Sequence, residues 1–379
     1  MAMDPIYLDH HATTPCDPRV VDAMLPYFTE IFGNPASLTH QQGRRAANAL
    51  EDARIAIARF LKAQPNEIYF TSGATEANNI ALSIVEPGQH FITSAIEHKS
   101  IIAPAGRMQK NGIEVTILQP DGEGFVAAEM VRSALRPNTR LVSIEAANGE
   151  IGTIQPVEEI AALCRERGVL FHTDITQAAG KIAIDFTTVA ADMASLSAHK
   201  VYGPKGAGAL YVRRGVRAKP IVAGGGQERG LRSGTVNVGG AVGLSVALQL
   251  RSEEMHAEAT RLTDIRNGLW DRLVAEIPSV SVNGPRALRL PGNLNVSFAS
   301  IEADSLIVAM RRFSLSSGSA CSSGERGPSR VLLAIGVSEA MAMGSVRIGL
   351  GRSNTAEHAS MLALDLRRVV ARLREISAA

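Results

Sequence analysis

From Asn66 to Arg213 the chain alternates short apolar, β-branched runs with stretches in which apolar residues return every three or four positions. "EIYF", "HFITS", "EVTIL", "RLVSIEA", "VLFHTD", "DMASLSA" and "GALYV" read as strands, with "TEANNIALSIV" and "PVEEIAALCRERG" as helices between them. The alternation predicts an α/β unit on a mostly parallel, helix-covered sheet, in which ligands sit beyond the C-terminal ends of the strands. Ahead of it, "RVVDAMLPYFTEIF" and "QQGRRAANALEDARIAIARFL" have helical spacing. After Asn237 a long helical stretch is followed by strands at "LNVSF" and "SVRIGL" and a final helix "EHASMLALDLRRVVARLREI", which reads as a smaller α+β unit. We therefore expect a large domain over residues 14–257 and a small one made of 1–13 and 258–379. Neither repeats nor a low-complexity linker interrupt the chain, so the two should share a broad interface.

Composition narrows the function classes. A chain of 379 residues with 45% hydrophobic and 20% charged residues can bury a large core. Its formal charge of +2 is spread among interspersed acids and bases, which predicts no attraction to nucleic acid or to an anionic membrane, so any phosphate site must be local. No apolar run reaches the roughly 18 residues of a membrane span, and "MAMDPIYLDHHATTP" has neither a basic nor an apolar leader region, so a cytoplasmic protein is expected. Three widely spaced cysteines encode neither a disulfide framework nor a metal site. Cys16 reads as a turn residue and Cys164 as a buried helix residue. Cys321 differs: it stands in "SSGSACSSGERG", where a thiol is kept for reactivity rather than for packing.

Three further stretches carry chemistry. In "SAHKVYGPKGAGALYV", Lys200 follows a strand and precedes a glycine-rich turn, which makes it a candidate Schiff-base former, although most such lysines are solvated surface residues. In "FHTDITQ", Asp174 ends a buried strand; it suits the ring nitrogen of pyridoxal phosphate (PLP), and equally a helix N-cap. In "FTSGATEANN" a strand runs through Gly73, Ala74 and Thr75 into a helix, whose first N–H groups could cradle a phosphate or could simply be turn chemistry.

The joint order of "IYLDHHATTP", "FGNPAS", "FTSGATEANN", "EHKS", "HTDITQAAGK", "SAHKVYGPKG", "GGGQERGLRSGT" and "SSGSAC" resembles the cysteine desulfurases, NifS/IscS-like members of the class V PLP-dependent aminotransferases. The resemblance runs from Ile6 to the final helix. It implies fold type I and a homodimer that takes sulfur from L-cysteine, releases L-alanine and leaves a persulfide on Cys321 for an acceptor such as an iron–sulfur scaffold or a tRNA-thiolation protein. It further implies that Lys200 binds PLP as a Schiff base and shuttles a proton, that Asp174 pairs with the pyridine nitrogen, and that His98 stacks on the ring and assists proton transfer. Ala74, Thr75, Ser197 and His199 match phosphate ligands, Gln177 matches the side chain facing the phenolic oxygen, and Thr235 matches a residue reaching the phosphate of the other subunit. Asn34 and Arg347 match the pair that grips the substrate carboxylate. The Ser/Gly content around Cys321 suits a mobile arm.

The chain departs from this pattern at "EAANGEIG", where Gly149 replaces a usual Asn. One contact to the phenolic oxygen should be missing, Gln177 is expected to take over that oxygen with water, and Gly149→Asn should be tolerated. Two alternatives share much of the pattern: a selenocysteine lyase, and a non-catalytic regulatory subunit of the same fold. The presence of Lys200 and Cys321 argues against the second.

Overall fold

The computed structural model describes residues 5–317 and 327–378. Its strands are β1 (Ile6–Tyr7), β2 (Ile68–Thr71), β3 (His90–Ser94), β4 (Glu114–Leu118), β5 (Thr139–Ser143), β6 (Leu170–Asp174) and β7 (Met193–Ser197), followed by β8 (Gly208–Val212), β9 (Val280–Asn283), β10 (Asn293–Phe298), β11 (Phe313–Ser314), β12 (Ser316–Ser317) and β13 (Ser345–Gly349). Seven of them form the main sheet in the order β2-β8-β7-β6-β5-β3-β4. Only β8 runs against its neighbours; the remaining pairings are parallel. Helices cover both faces, which is why β3, β7 and β8 are buried at every position, polar residues such as His90 and Ser195 included. At the edge, β4 is exposed or half-buried up to Leu118, and Arg136 pairs with Glu114 there at 2.5 Å.

Helical spacing translates directly into burial in the helix Gln41–Leu61, where Ala46, Leu50, Ala53, Ile57 and Leu61 face the core. The expected helix at "RVVDAMLPYFTEIF" is instead two, Pro18–Met24 and Pro26–Thr29, because Pro26 has no N–H to continue the ladder. The helix Lys99–Lys110 contains Pro104, which argues for a break in the sequence. Packing overrides it: Ile101, Ala105 and Met108 bury against Ala77, Ile80 and Ala81 of the helix Ala74–Leu82.

A smaller unit holds the antiparallel sheet β12-β13-β10-β9 and a parallel pair of β1 with β11, so both ends of the chain meet in it. The helix Val238–Glu276 belongs to both units: Ala241, Leu244 and Leu248 lie in the large core, and Leu262, Leu269 and Leu273 in the small one. The expected boundary at residue 257 falls inside this continuous helix.

One close approach sets the geometry of the rim. Gly73, at φ 151°, occupies a region that side chains rarely adopt, and β8 passes so near it that a Cβ on Gly208 would stand 2.6 Å from Gly73 Cα and 2.6 Å from Leu196 O. These are backbone atoms and cannot swing aside. Gly208→Ala is therefore expected to cost about 1–3 kcal/mol in denaturant unfolding and to weaken cofactor retention; unfolding and retention like those of the parent would show that β8 can shift freely.

Candidate active site

The parallel strands β2, β6 and β7 end on the same side, and the chain leaves them at the residues the sequence singles out. β6 ends on Asp174, β7 ends on Ser197 and turns through Ala198–Lys200, and β2 passes through Gly73 into the helix Ala74–Leu82. They rim a cavity of ≈ 980 Å³ whose walls include Ala74, Thr75, His98, Asp174, Gln177, Ser197, His199, Lys200 and Arg347. Nine of the expected site residues thus converge from separate elements.

Lys200 Nζ donates to the carbonyls of His11 and Ala12 at 2.5 and 2.7 Å, which brings the first residues of the chain against the floor of the cavity. Asp174 accepts from Asn78 Nδ2 at 2.7 Å and from the Thr176 N–H at 2.9 Å. Asn78 also donates to Ser100 Oγ at 2.8 Å, and Ser100 lies 2.7 Å from His98 Nδ1. The Ser100 backbone N–H can only donate, and it points at the same Nδ1 at 3.1 Å, so in neutral His98 the proton sits on Nε2. Burial lowers the His98 pKa, Asp174 opposes this, and Lys200, Arg330 and Lys99 reinforce it. The imidazole still has accessible surface because it faces the open cavity while protein surrounds it. Sequence reasoning missed Asn78 and Ser100. The signal was available for Asn78, one helical turn beyond Ala74, but its partners lie 22 and 96 residues away.

The residues fit PLP. A Cβ on Gly73 would fill the space beside Ser197 Oγ, 3.5 Å away, where a phosphate needs room, and the helix Ala74–Leu82 starts there with its free N–H groups. His199 Nδ1 lies 3.1 Å from Thr13 Oγ1, and burial, with Lys200, Lys205 and Lys181, brings its pKa down to about 4. Asp174 and Lys200 line the same cavity as the start of the helix Ala74–Leu82.

Gly149 does not adopt positive φ; its role is spatial. A Cβ there would lie 2.5 Å from Gln177 Nε2 and 2.9 Å from Cδ. Gln177 is held in place, donating to His11 O at 3.0 Å and accepting from Lys181 Nζ at 2.7 Å, with His11 Nδ1 3.1 Å from the same oxygen. The expectation that Gly149→Asn is tolerated is thereby corrected: the new side chain would have to displace a triply held amide. Asn148 lines the cavity, but its amide is committed to the wall, to Ile96 O, Glu145 Oε1 and the N–H groups of Glu150 and Ile151. Arg347, buried on β13, donates through Nη2 to Asp9 Oδ1 at 2.9 Å, and its Nε has no partner among the described residues.

Asn34 and Thr235 do not line the cavity. Asn34 is exposed and accepts from the Ala36 N–H at 3.0 Å, and Thr235 is exposed shortly before the helix Val238–Glu276. Cys321 lies outside the described residues; the chain re-enters at Gly327 on the cavity wall. Cys164 is fully buried in the helix Val157–Glu166, and burial, with Asp192, pushes its thiol up to about 12, which removes it as a nucleophile.

The class-V aminotransferase family matches residues 6–362. The chain is 47% identical to the cysteine desulfurase IscS of Anaeromyxobacter dehalogenans (strain 2CP-C) over 98% of its own length and 94% of that protein's. It is also 47% identical to a mitochondrial cysteine desulfurase of Drosophila melanogaster, over 98% and 82%. Among solved structures, a NifS-like protein superposes with a TM-score of 0.90 at 35% identity, covering 97% of this chain and 100% of that one. SspA in complex with cysteine superposes with a TM-score of 0.80 at 39% identity, covering 91% and 98%.

The cavity also has an acidic stretch of wall. Glu97, Glu145 and Glu150 are buried, and Glu97 Oε1 accepts the Glu145 N–H at 2.7 Å. Burial raises all three carboxyls, Glu145 to about 8 and Glu150 to about 7; Asp174 and Glu150 add to the rise at Glu145, while Asn148 and Arg330 oppose it. Arg330 donates to Glu97 O at 2.5 Å. A carboxyl whose folded pKa lies above its unfolded value of about 4.3 stabilises the fold fully below that value and loses the contribution as pH rises through the folded pKa. Glu145→Gln is therefore expected to gain thermal stability over the parent as pH rises from 5 to 8. A melting-temperature difference that stays flat across that range would mean Glu145 is charged in the fold.

Proposed function

The chain belongs to the class-V aminotransferases and, within them, to the IscS/NifS-like cysteine desulfurases, and from this premise we propose how its own residues divide the work. The enzyme is a PLP-dependent cysteine desulfurase of fold type I. The observation that carries the residue assignment is the convergence of Lys200, Asp174 and His98 on one cavity beside the Gly73 cradle. PLP, when bound, supplies an electron sink for breaking bonds at the substrate's α and β carbons. Lys200 is the amine that holds the cofactor and takes and returns a proton. Asp174, oriented by Asn78 and Thr176, faces the ring nitrogen; Ala74, Thr75, Ser197 and His199 hold the phosphate. Gln177, seated over Gly149, presents its amide to the phenolic oxygen.

L-Cysteine is the substrate, and a structure of the related SspA is a complex with cysteine. Arg347 meets its carboxylate, since a guanidinium matches that planar anion with two parallel hydrogen bonds. His98 holds a proton at Nε2 on the cavity side, placed to give it up or take it back near the substrate. Cys321 takes the sulfur as a persulfide, for transfer to a protein acceptor such as an iron–sulfur scaffold. Lys200→Ala should lose the yellow colour and at least about a hundredfold in rate. Cys321→Ser should stay yellow and bind L-cysteine but stall in alanine production, and mass spectrometry of the parent should place the extra sulfur on the Cys321 peptide. Alanine at the parent rate from either variant would overturn the assignment.

A homodimer is part of the same proposal. Phe28 and Phe32 are 63% and 69% exposed, with Leu25 and Leu38 also exposed beside them. This apolar face adjoins the start of the helix Val238–Glu276, where a Cβ on Gly239, shortly after Thr235 in sequence, would lie 3.7 Å from Phe28 Cζ. A second copy covering it would account for the exposure of side chains that water disfavours. Phe28→Asp combined with Phe32→Asp should shift the mass measured by light scattering from dimer to monomer and weaken cofactor retention. A double variant that remains dimeric would place the interface elsewhere.

A further inference from the structure

Behind Lys200 lies a second, much smaller cavity of ≈ 30 Å³, and Lys200 and His11 are the two residues that line both. His10, Thr14, Lys181, Tyr202, Arg251 and Glu258 contribute to its walls. Three of the ring nitrogens here are buried with no hydrogen-bond partner among the described residues: Nδ1 and Nε2 of His10, and Nε2 of His11, in residues 3% and 2% exposed. A neutral imidazole has one donor and one acceptor nitrogen, and buried groups of either kind nearly always find a partner or an ordered water. His10 cannot turn to find one in the protein. Its ring stands edge-on to Tyr7 at 4.9 Å, and a Cβ on Gly351 would touch its Nδ1 at 2.5 Å.

The space exceeds the roughly 10–15 Å³ that one water requires, and its walls offer several polar groups. We infer that this cavity is a water-binding site, in which one or two ordered waters bridge the His10 and His11 imidazoles to the amine of Lys200. The site gives Lys200 a hydrogen-bond partner from the second of the two cavities it lines. A water there holds the amine in place by hydrogen bonding, and it donates to His11 Nε2, which is the acceptor nitrogen because Nδ1 faces the Gln177 Oε1 acceptor at 3.1 Å. His10 and His11 suit that role because both are held neutral: burial brings His10 down to about 4, with Lys181 and Arg352 adding to it, and holds His11 well below its ordinary value. Lys181, whose own pKa burial lowers, donates to Gln177 from the same wall; Arg251 and Glu258 are the other charged groups lining the site, and Arg352 stacks on the Tyr202 ring at 3.8 Å.

The catalytic consequence rests on Lys200 being the reacting amine, whereas occupancy of the cavity does not, and the two can fail separately. A crystal structure of the holoenzyme that resolves ordered solvent, with a second crystal soaked in bromide, tests occupancy. The expected result is a solvent peak within hydrogen-bond distance of His11 Nε2 and at least one His10 nitrogen, with no anomalous signal. An empty cavity overturns the inference, and so does bromide in it, which would make the site an anion site. His10→Phe keeps the ring and removes both nitrogens. With water present, the variant should lose the solvent peak, keep its colour and its KM for L-cysteine, lose about tenfold in kcat and show an altered solvent deuterium isotope effect. A dry cavity predicts the opposite pattern: a higher melting temperature, because two orphaned nitrogens are gone, with kcat and isotope effect unchanged. A colourless parent protein would instead count against the assignment of Lys200.

Discussion

Asp174 sits at the end of a buried strand, and its two oxygens are fixed by donors from different elements, Asn78 at 2.7 Å and Thr176 at 2.9 Å. A buried carboxylate is stable only with such partners, so the constraint runs outward. Asn78 must be delivered by the helix that begins at Gly73, and Ser100, its second acceptor, by the helix whose N-cap is His98. The orientation of His98 and the position of the phosphate cradle are therefore set by the same amide that steadies Asp174. A displacement of any of the three elements would leave a buried polar group without its partner, at a cost of about 1–3 kcal/mol.

Around this pivot the absence of side chains matters as much as their presence. Gly73 and Gly208 let two backbones approach closely where a phosphate needs space, and Gly149 leaves the place that Gln177 fills. The polar amide beside Gly149 is that of Gln177, with Lys181 and His11 holding it there.

The cavity also separates charge by burial. His199 and His98 are driven toward their neutral forms near Lys200, while Glu97, Glu145 and Glu150 are driven toward theirs elsewhere on the wall. The carboxyls of such a site keep removable protons while its imidazoles stay uncharged, so net charge, which a buried space tolerates poorly, does not accumulate.

The main sheet was legible in the residue pattern because buried strands and covering helices impose different periods on apolar positions, and each of the seven runs is a strand. Lys200, Asp174 and the Gly73 turn were legible because they occupy loop positions just after strands, where a parallel sheet presents its ligands. The helix Lys99–Lys110 was not, since Pro104 speaks locally against it and only packing against a distant helix outweighs that. Nor could the chain alone reveal Asn78, Ser100 or the cavity behind Lys200. Each depends on groups tens to hundreds of residues apart, such as His11 and Lys200, whose meeting is fixed by the order of strands in the sheet. Sequence by itself determined the reactive groups and the local elements that carry them; tertiary structure decided which of those groups touch, because hydrogen bonding and desolvation act over distances in space to which separation along the chain gives no guide.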